Sequence, residues 1–237
     1  KELAVITDDG SVLASNISVT ALWPDNSIKW CIVKAQVNLL SNQSLRLRLD
    51  KHSFKFDPAH CTSGLFYETD DKIKIKTKRC LFTLSKKCFN FIQKVTRNNI
   101  STSEHGYCTL KTKKYGQLKP EISSYHYHTS SSFDCPLSSE LTIKGDFLST
   151  DGELIVNFES HISFFIKTDM VKCSLTLHNP KPARHTSGLW DLGDPNSLIF
   201  SSFDLGMTIS DITDINWKTE NNQPWKSLEQ QPLCIYQ

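Results

Sequence analysis

Glycine is scarce in this sequence, with 9 among 237 residues, and methionine occurs only 2 times. So few glycines leave little room for loops that cradle phosphate, and no GxSxG, Walker or dinucleotide-binding pattern is present. The cysteines Cys31, Cys61, Cys80, Cys88, Cys108, Cys135, Cys173 and Cys234 form no CxxC pair, which removes zinc ribbons and thioredoxin-like chemistry. Charge of one sign is lacking too. Lys+Arg 27 against Asp+Glu 25 leaves a net charge of +2, no basis for broad attraction to nucleic acid or an anionic membrane. No apolar run approaches the roughly 18–20 residues that cross a bilayer, so no membrane span is expected. The opening KELAVITDDG has no hydrophobic signal core, and localisation stays open, secretion included.

Helical periodicity is also missing: no stretch of more than ten residues repeats apolar positions at i, i+3, i+4 and i+7. Alternation takes its place. Ile28, Trp30 and Ile32 share one side of a strand, with Lys29 and Cys31 on the other. In SLRLRLD, Leu45, Leu47 and Leu49 oppose Arg46 and Arg48, the pattern of a half-buried strand. RCLFTLS and FNFIQKV read as a pair joined at Lys86–Lys87. SELTIKG and GELIVNFES follow, and VKCSLTLHN sets Val171, Cys173, Leu175 and Leu177 opposite Lys172, Ser174 and Thr176. Turn chemistry separates them, as in DDG before Ser11 and STDG before Glu153. Cys31 and Cys173 stand where apolar residues belong and read as small hydrophobes. Sequons at Asn16, Asn42 and Asn99 are no more frequent than chance provides.

The pattern predicts an all-β chain in two parts: a small N-terminal β-barrel-like domain over 1–78 and a larger antiparallel β-sandwich over 79–237. The boundary falls in the stretch from Phe54 to Lys78, where alternation is interrupted. The Ser-, Thr-, Tyr- and His-rich stretch from Ile100 to Pro136 reads as long loops over one edge of the second domain.

Several groups have the residue types of a site. The segment from His178 to Pro195 concentrates Arg184, His185, Trp190, Asp191 and Asp194. Sugar binding needs such a mixture, an aromatic face for the pyranose and charged groups for its hydroxyls. In the plainer reading Trp190 plugs the sandwich and the two aspartates bond the loop backbone. His126 and His128 alternate with Tyr125 and Tyr127 and could begin a metal-dependent enzyme site, but further ligands are not identifiable; no metal or other cofactor is implied. Lys72, Lys74 and Lys76 alternate with Ile73 and Ile75, and Lys78 and Arg79 follow. A solvated strand face is the plainer reading, attraction of an acidic polysaccharide the functional one. Asp8–Asp9 and Asp70–Asp71 are neighbours that a strand would point apart, so they read as turn residues rather than an acid–base pair.

The segment WPDNSIKWCIVKAQV, Trp23 to Val37, is similar to a stretch in the amino-terminal barrel of the exo-rhamnogalacturonan lyase and YetA-like family, with Asn26 in place of a turn glycine. LFTLSKKCFNFIQKV, Leu81 to Val95, resembles the start of that family's central β-sandwich. The stretch from Gly145 to Phe200, with its Asn-Pro turn and GLWDLGDP element, resembles a strand hairpin of the same family. The resemblance implies a RIFT-type barrel followed by a sandwich, with the catalytic helical toroid a further C-terminal domain and partner of this chain. It implies a non-catalytic β portion of a lyase-like protein acting on polysaccharides or oligosaccharides that contain uronic acid; that there is no nucleic-acid partner is expected from the charge balance alone. Catalytic residues are not transferable. A carbohydrate-binding or scaffold module without enzymatic activity is the competing expectation. Trp23 and Trp30 are expected to be turn-fixed and buried.

Overall fold

The computed structural model describes residues 2–13, 15–52, 66–129, 137–182, 184, 194–210, 215–220 and 222–227. Among them there is no helix, and the chain is all-β with antiparallel pairing throughout. No helix long and apolar enough to cross a membrane occurs among the described residues.

The first strands form two small sheets. β1 (Glu2–Thr7) pairs with β4 (Leu47–His52), and β2 (Ser15–Leu22) pairs with β3 (Ile28–Ala35). The turn between β2 and β3 is the Trp-Pro-Asp-Asn-Ser element. Asn26 has φ 64°, the left-handed angle that asparagine tolerates better than most side chains. Asn26 N donates to Trp23 O at 2.9 Å, and the Asp25 carboxylate accepts from both the Ser27 amide and its hydroxyl. Hydrogen bonding from Ser27 holds the Asp25 carboxyl below its ordinary range. The hairpin is well specified but not buried. Trp23 is 51% and Trp30 64% exposed, and Ile28 and Ile32 are also exposed, which corrects the expectation that this face lies inside. Alternation on β3 gives it two chemically distinct faces, yet nothing in the sequence obliges a neighbouring layer to cover the apolar one. Leu47 and Leu49 on β4 are exposed for the same reason.

The main body is one ten-stranded sheet folded on itself. In chain order it comprises β5 (Phe66–Glu68), β6 (Lys72–Lys76), β7 (Cys80–Ser85), β8 (Lys94–Arg97), β9 (Ile100–Thr112), β10 (Gly116–Thr129), β11 (Ser138–Leu148), β12 (Leu154–Phe165), β13 (Val171–His178) and β14 (Phe200–Ile209). Neighbour follows neighbour from β5 to β13, and β14 adds to β9. Two short strands, β15 (Asn216–Trp217) and β16 (Lys226–Ser227), pair separately.

The fold in the sheet lies at β9 and β10. They pair only from Gly116 to Leu118, after which β10 leaves β9 and continues along β11 as far as Thr129. Two layers result. Phe82 on β7 meets Phe164 on β12 at 5.1 Å between ring centroids, Phe89 meets Phe158 on β12 at 4.8 Å, and Phe66 on β5 stacks on Tyr127 of β10 at 4.1 Å. Around these rings Ile73, Ile75, Leu84, Leu110, Leu141, Ile143, Phe147 and Ile162 are almost wholly buried. Each large apolar side chain so enclosed contributes about 1.5–3 kcal/mol relative to exposure.

Strands β11 to β13 coincide with the alternating segments, and on β13 half-buried Val171, Cys173, Leu175 and Leu177 alternate with exposed residues as expected. The DDG and STDG turns form with Gly10 at φ 84° and Gly152 at φ 81°. Two expectations need correction. The stretch from Ile100 is not a set of loops: β9 and β10 are the longest strands, with 13 and 14 residues. Apart from Leu110, the inward positions of β9 are filled by Ser103, Gly106, Cys108 and Thr112, residues small enough for close layers but too weakly apolar to advertise a strand. In FNFIQKV only the end, from Lys94, is a strand. Phe89 and Ile92 instead drop into the core, while Lys87 O accepts from Ile122 N of β10 at 2.9 Å.

Candidate functional site

Asn179, Lys181 and Pro195 of the His178 to Pro195 segment, with their neighbours, line a cleft of about 320 Å³ at the end of the sandwich where β9 turns into β10. Tyr115 sits in that turn. Its amide donates to Thr112 Oγ1 at 2.9 Å, and Gly116 takes φ 68° to reverse the chain. Lys114 Nζ lies 4.7 Å and Lys181 Nζ 5.8 Å from the Tyr115 ring centre. Lys114 and then Lys181 favour the phenolate, so the Tyr115 hydroxyl is held below the ordinary tyrosine range.

Backbone of the facing loop is fixed by side-chain amides. Asn179 Nδ2 donates to Asn196 O at 2.8 Å, and Asn196 Nδ2 donates to Pro182 O at 2.6 Å. Asp194 accepts from the Arg184 amide at 2.5 Å with one oxygen and from the Asn196 amide at 2.8 Å with the other. The second carboxylate near the cleft, Glu153, is 3.7 Å from Lys181 Nζ. The cleft thus offers an aromatic ring, ammonium groups and amides. Among the described residues it has no carboxylate poised to move a proton. Of the residues expected to bind substrate, Arg184 and Asp194 lie in the loop beside the cleft without lining it, while His185, Trp190 and Asp191 lie outside the described residues. Tyr115 and Lys114 were missed by sequence reasoning because KTKKYGQ was read within a long loop, and Lys181 lies in the His178 to Pro195 segment without having been singled out there. Recognised as a hairpin turn, it would have drawn attention to the Lys-Lys-Tyr run.

The remaining candidates do not assemble into a reaction centre. His126 and His128 project to solvent from β10, opposite Thr142 and Glu140. Among the described residues no group of three or more His, Cys, Asp and Glu could hold a metal ion. Asp9 accepts from Thr7 and from the Ser11 amide, and Asp71 pairs with Lys87 at 2.6 Å, so each closes a turn. Cys31, Cys80, Cys88, Cys108 and Cys173 are free thiols. Burial pushes the Cys108 thiol up to about 12, which keeps it protonated and a poor nucleophile.

A second concavity lies on the outer face of β5 to β8, with a volume of about 590 Å³. Lys74 and Lys76 enter it from β6, whose other face is closed by Ile73 and Ile75. Tyr67 lies directly opposite Lys74 across the β5–β6 ladder. The β8–β9 turn forms its rim, with Asn98 at φ 49° and Asn99 at φ 66°, the paired left-handed angles of a tight two-residue hairpin. As β9 is 13 residues long, the two clefts stand roughly 40 Å apart along it, at about 3.3 Å per residue.

No protein-family model matches this chain, and no curated protein matches it.

Proposed function

We propose that this chain is the non-catalytic β portion of a polysaccharide lyase-like protein that acts on glycans containing uronic acid. The observation behind this reading is the cleft at the β9–β10 turn, where Tyr115, Lys114, Lys181 and the fixed amides of Asn179 and Asn196 converge beside the segment expected to bind sugar. A ring that can lie against pyranose C–H bonds and cations that can meet a carboxylate are the groups such a ligand requires. The similarity of Trp23–Val37, Leu81–Val95 and Gly145–Phe200 to exo-rhamnogalacturonan lyases supplies the substrate class. Elimination beside a uronate needs a base of tuned pKa and a cation for the developing enolate. In this reading the helical domain implied by the resemblance contributes them.

The competing reading, a carbohydrate-binding or scaffold module with no enzymatic partner, is favoured by Asp194 and Glu153, both engaged in holding the loop. Affinity electrophoresis in gels containing rhamnogalacturonan tests binding. Retention is expected, with an approximately tenfold loss for Tyr115→Ala at unchanged circular dichroism, on the scale of 1.4 kcal/mol. Ultraviolet absorbance tests chemistry: the chain alone is expected to yield no unsaturated product, and the full-length protein to yield it. Turnover by the chain alone would overturn the non-catalytic assignment, and no retention by any uronate glycan would overturn the reading. Retention without turnover at full length would establish the binding-module alternative.

A further inference from the structure

The geometry points to a second ligand site, an anion-binding cleft on the outer face of β5 to β8 that takes a carboxylated polysaccharide through Lys74, Lys76 and Lys78 beside the ring of Tyr67. The first ground is the fate of the nearby acids. Glu68 lines the cleft but is bound by Lys86 at 2.5 Å and by the Tyr125 hydroxyl. Asp169 accepts from Thr77 Oγ1 at 2.6 Å and from Arg79 Nε at 2.7 Å. Asp71 is engaged by Lys87 and Glu104 by Lys94. Each of these four carboxylates therefore has a cation or hydroxyl of its own, whereas Lys74, Lys76 and Lys78 make no ion pair among the described residues. Lys74 is only partly exposed, so its charge is held in the concavity without a counter-ion among the described residues.

The second ground is shape and spacing. Strand alternation sets Lys74 and Lys76 roughly 6.5–7 Å apart on one face, with Lys78 continuing the line past the strand end. Tyr67 is 45% exposed and stands at the side of this row, with Leu81 facing Lys76 from β7. A smaller cleft sharing Lys74, Leu81 and Thr96 extends the surface towards Lys72. An extended chain of acidic sugars matches a line of point charges with one aromatic platform and a partly apolar floor. Single-stranded nucleic acid is served by a succession of stacking rings and wide positive potential. Among the described lining residues there is a single ring, the Arg79 guanidinium is engaged by Asp169, and the net charge is only +2.

The inference rests on the uronate-glycan reading for its ligand chemistry, while its location is independent of the Tyr115 cleft. The test is titration calorimetry of the chain with a galacturonic acid oligomer, with a single-stranded DNA oligomer of equal charge as comparison. The triple substitution Lys74→Gln, Lys76→Gln, Lys78→Gln is expected to weaken oligomer binding at least tenfold. Tyr67→Ala is expected to weaken it about threefold. Because all four side chains point outward, circular dichroism is expected to stay unchanged. Unaltered binding by the triple variant, with loss in Tyr115→Ala instead, would overturn this site and leave the glycan reading standing. Absence of binding by the wild type would overturn both. DNA binding as tight as the oligomer and equally reduced in the triple variant would replace the ligand class with polyanions at large.

Discussion

Phe158→Ala is the substitution that reads the folded sheet most directly. The ring is 3% exposed and lies between Phe89 at 4.8 Å and Phe147 at 5.4 Å, so it joins the connection after β7 to β11 and β12. Truncating a buried phenylalanine removes its transfer free energy and leaves a cavity, together about 3–5 kcal/mol. The two ring contacts, each worth about 0.5–1.5 kcal/mol beyond area, put this site in the upper part of that range. Urea unfolding followed by tryptophan fluorescence is the assay. With a slope of about 2.5 kcal/mol/M, a loss near 4 kcal/mol moves the midpoint down by about 1.6 M. Trp30→Ala provides the internal contrast, since a side chain 64% exposed should cost less than about 1 kcal/mol. A Phe158→Ala loss below 1 kcal/mol, or a Trp30→Ala loss that exceeds it, would refute the two-layer assignment of the core.

Two further outcomes follow from local geometry. Gly106→Ala should destabilise by at least about 3 kcal/mol on thermal melting, because its Cβ would sit 1.9 Å from Ile92 O, and backbone in a packed layer cannot move aside cheaply. Asp169→Asn should lower stability at neutral pH by about 1–2 kcal/mol, a hydrogen-bonded charge discounted for the half-exposed Arg79. Burial opposes ionisation of Asp169, yet hydrogen bonds from Thr77 and Arg79 outweigh it and hold the carboxyl below its ordinary range. Its folded pKa being depressed, the contribution is present above the unfolded value near 3.8 and disappears as pH falls through the folded one. Chemical denaturation of both proteins from pH 7 to pH 2 should show the curves converge at the acid end, and a constant gap would contradict the assignment.

The functional surfaces show how much of this protein could be read in advance. Lys72, Lys74 and Lys76 were recognisable as one face of a strand, because Ile73 and Ile75 occupy the other and side chains alternate in any strand. That Tyr67 stands beside Lys74 could not be seen, since it depends on the register of β5 against β6. The Tyr115 cleft was illegible for a related reason. Its ring comes from the β9–β10 turn and Asn179 and Asn196 from the β13–β14 connection, segments far apart in sequence that tertiary structure brings together.

By itself the sequence determined that the chain is all-β, where the strands β11 to β13 run, and which turns need Asn26, Gly10 and Gly152, because side-chain period and left-handed backbone angles are local properties. Tertiary structure alone decided which alternating faces are inside. Phe158 and Trp30 both belong to apolar faces, yet one is enclosed and the other open, since burial requires a second layer and the position of that layer is set by pairing between residues far apart in the chain.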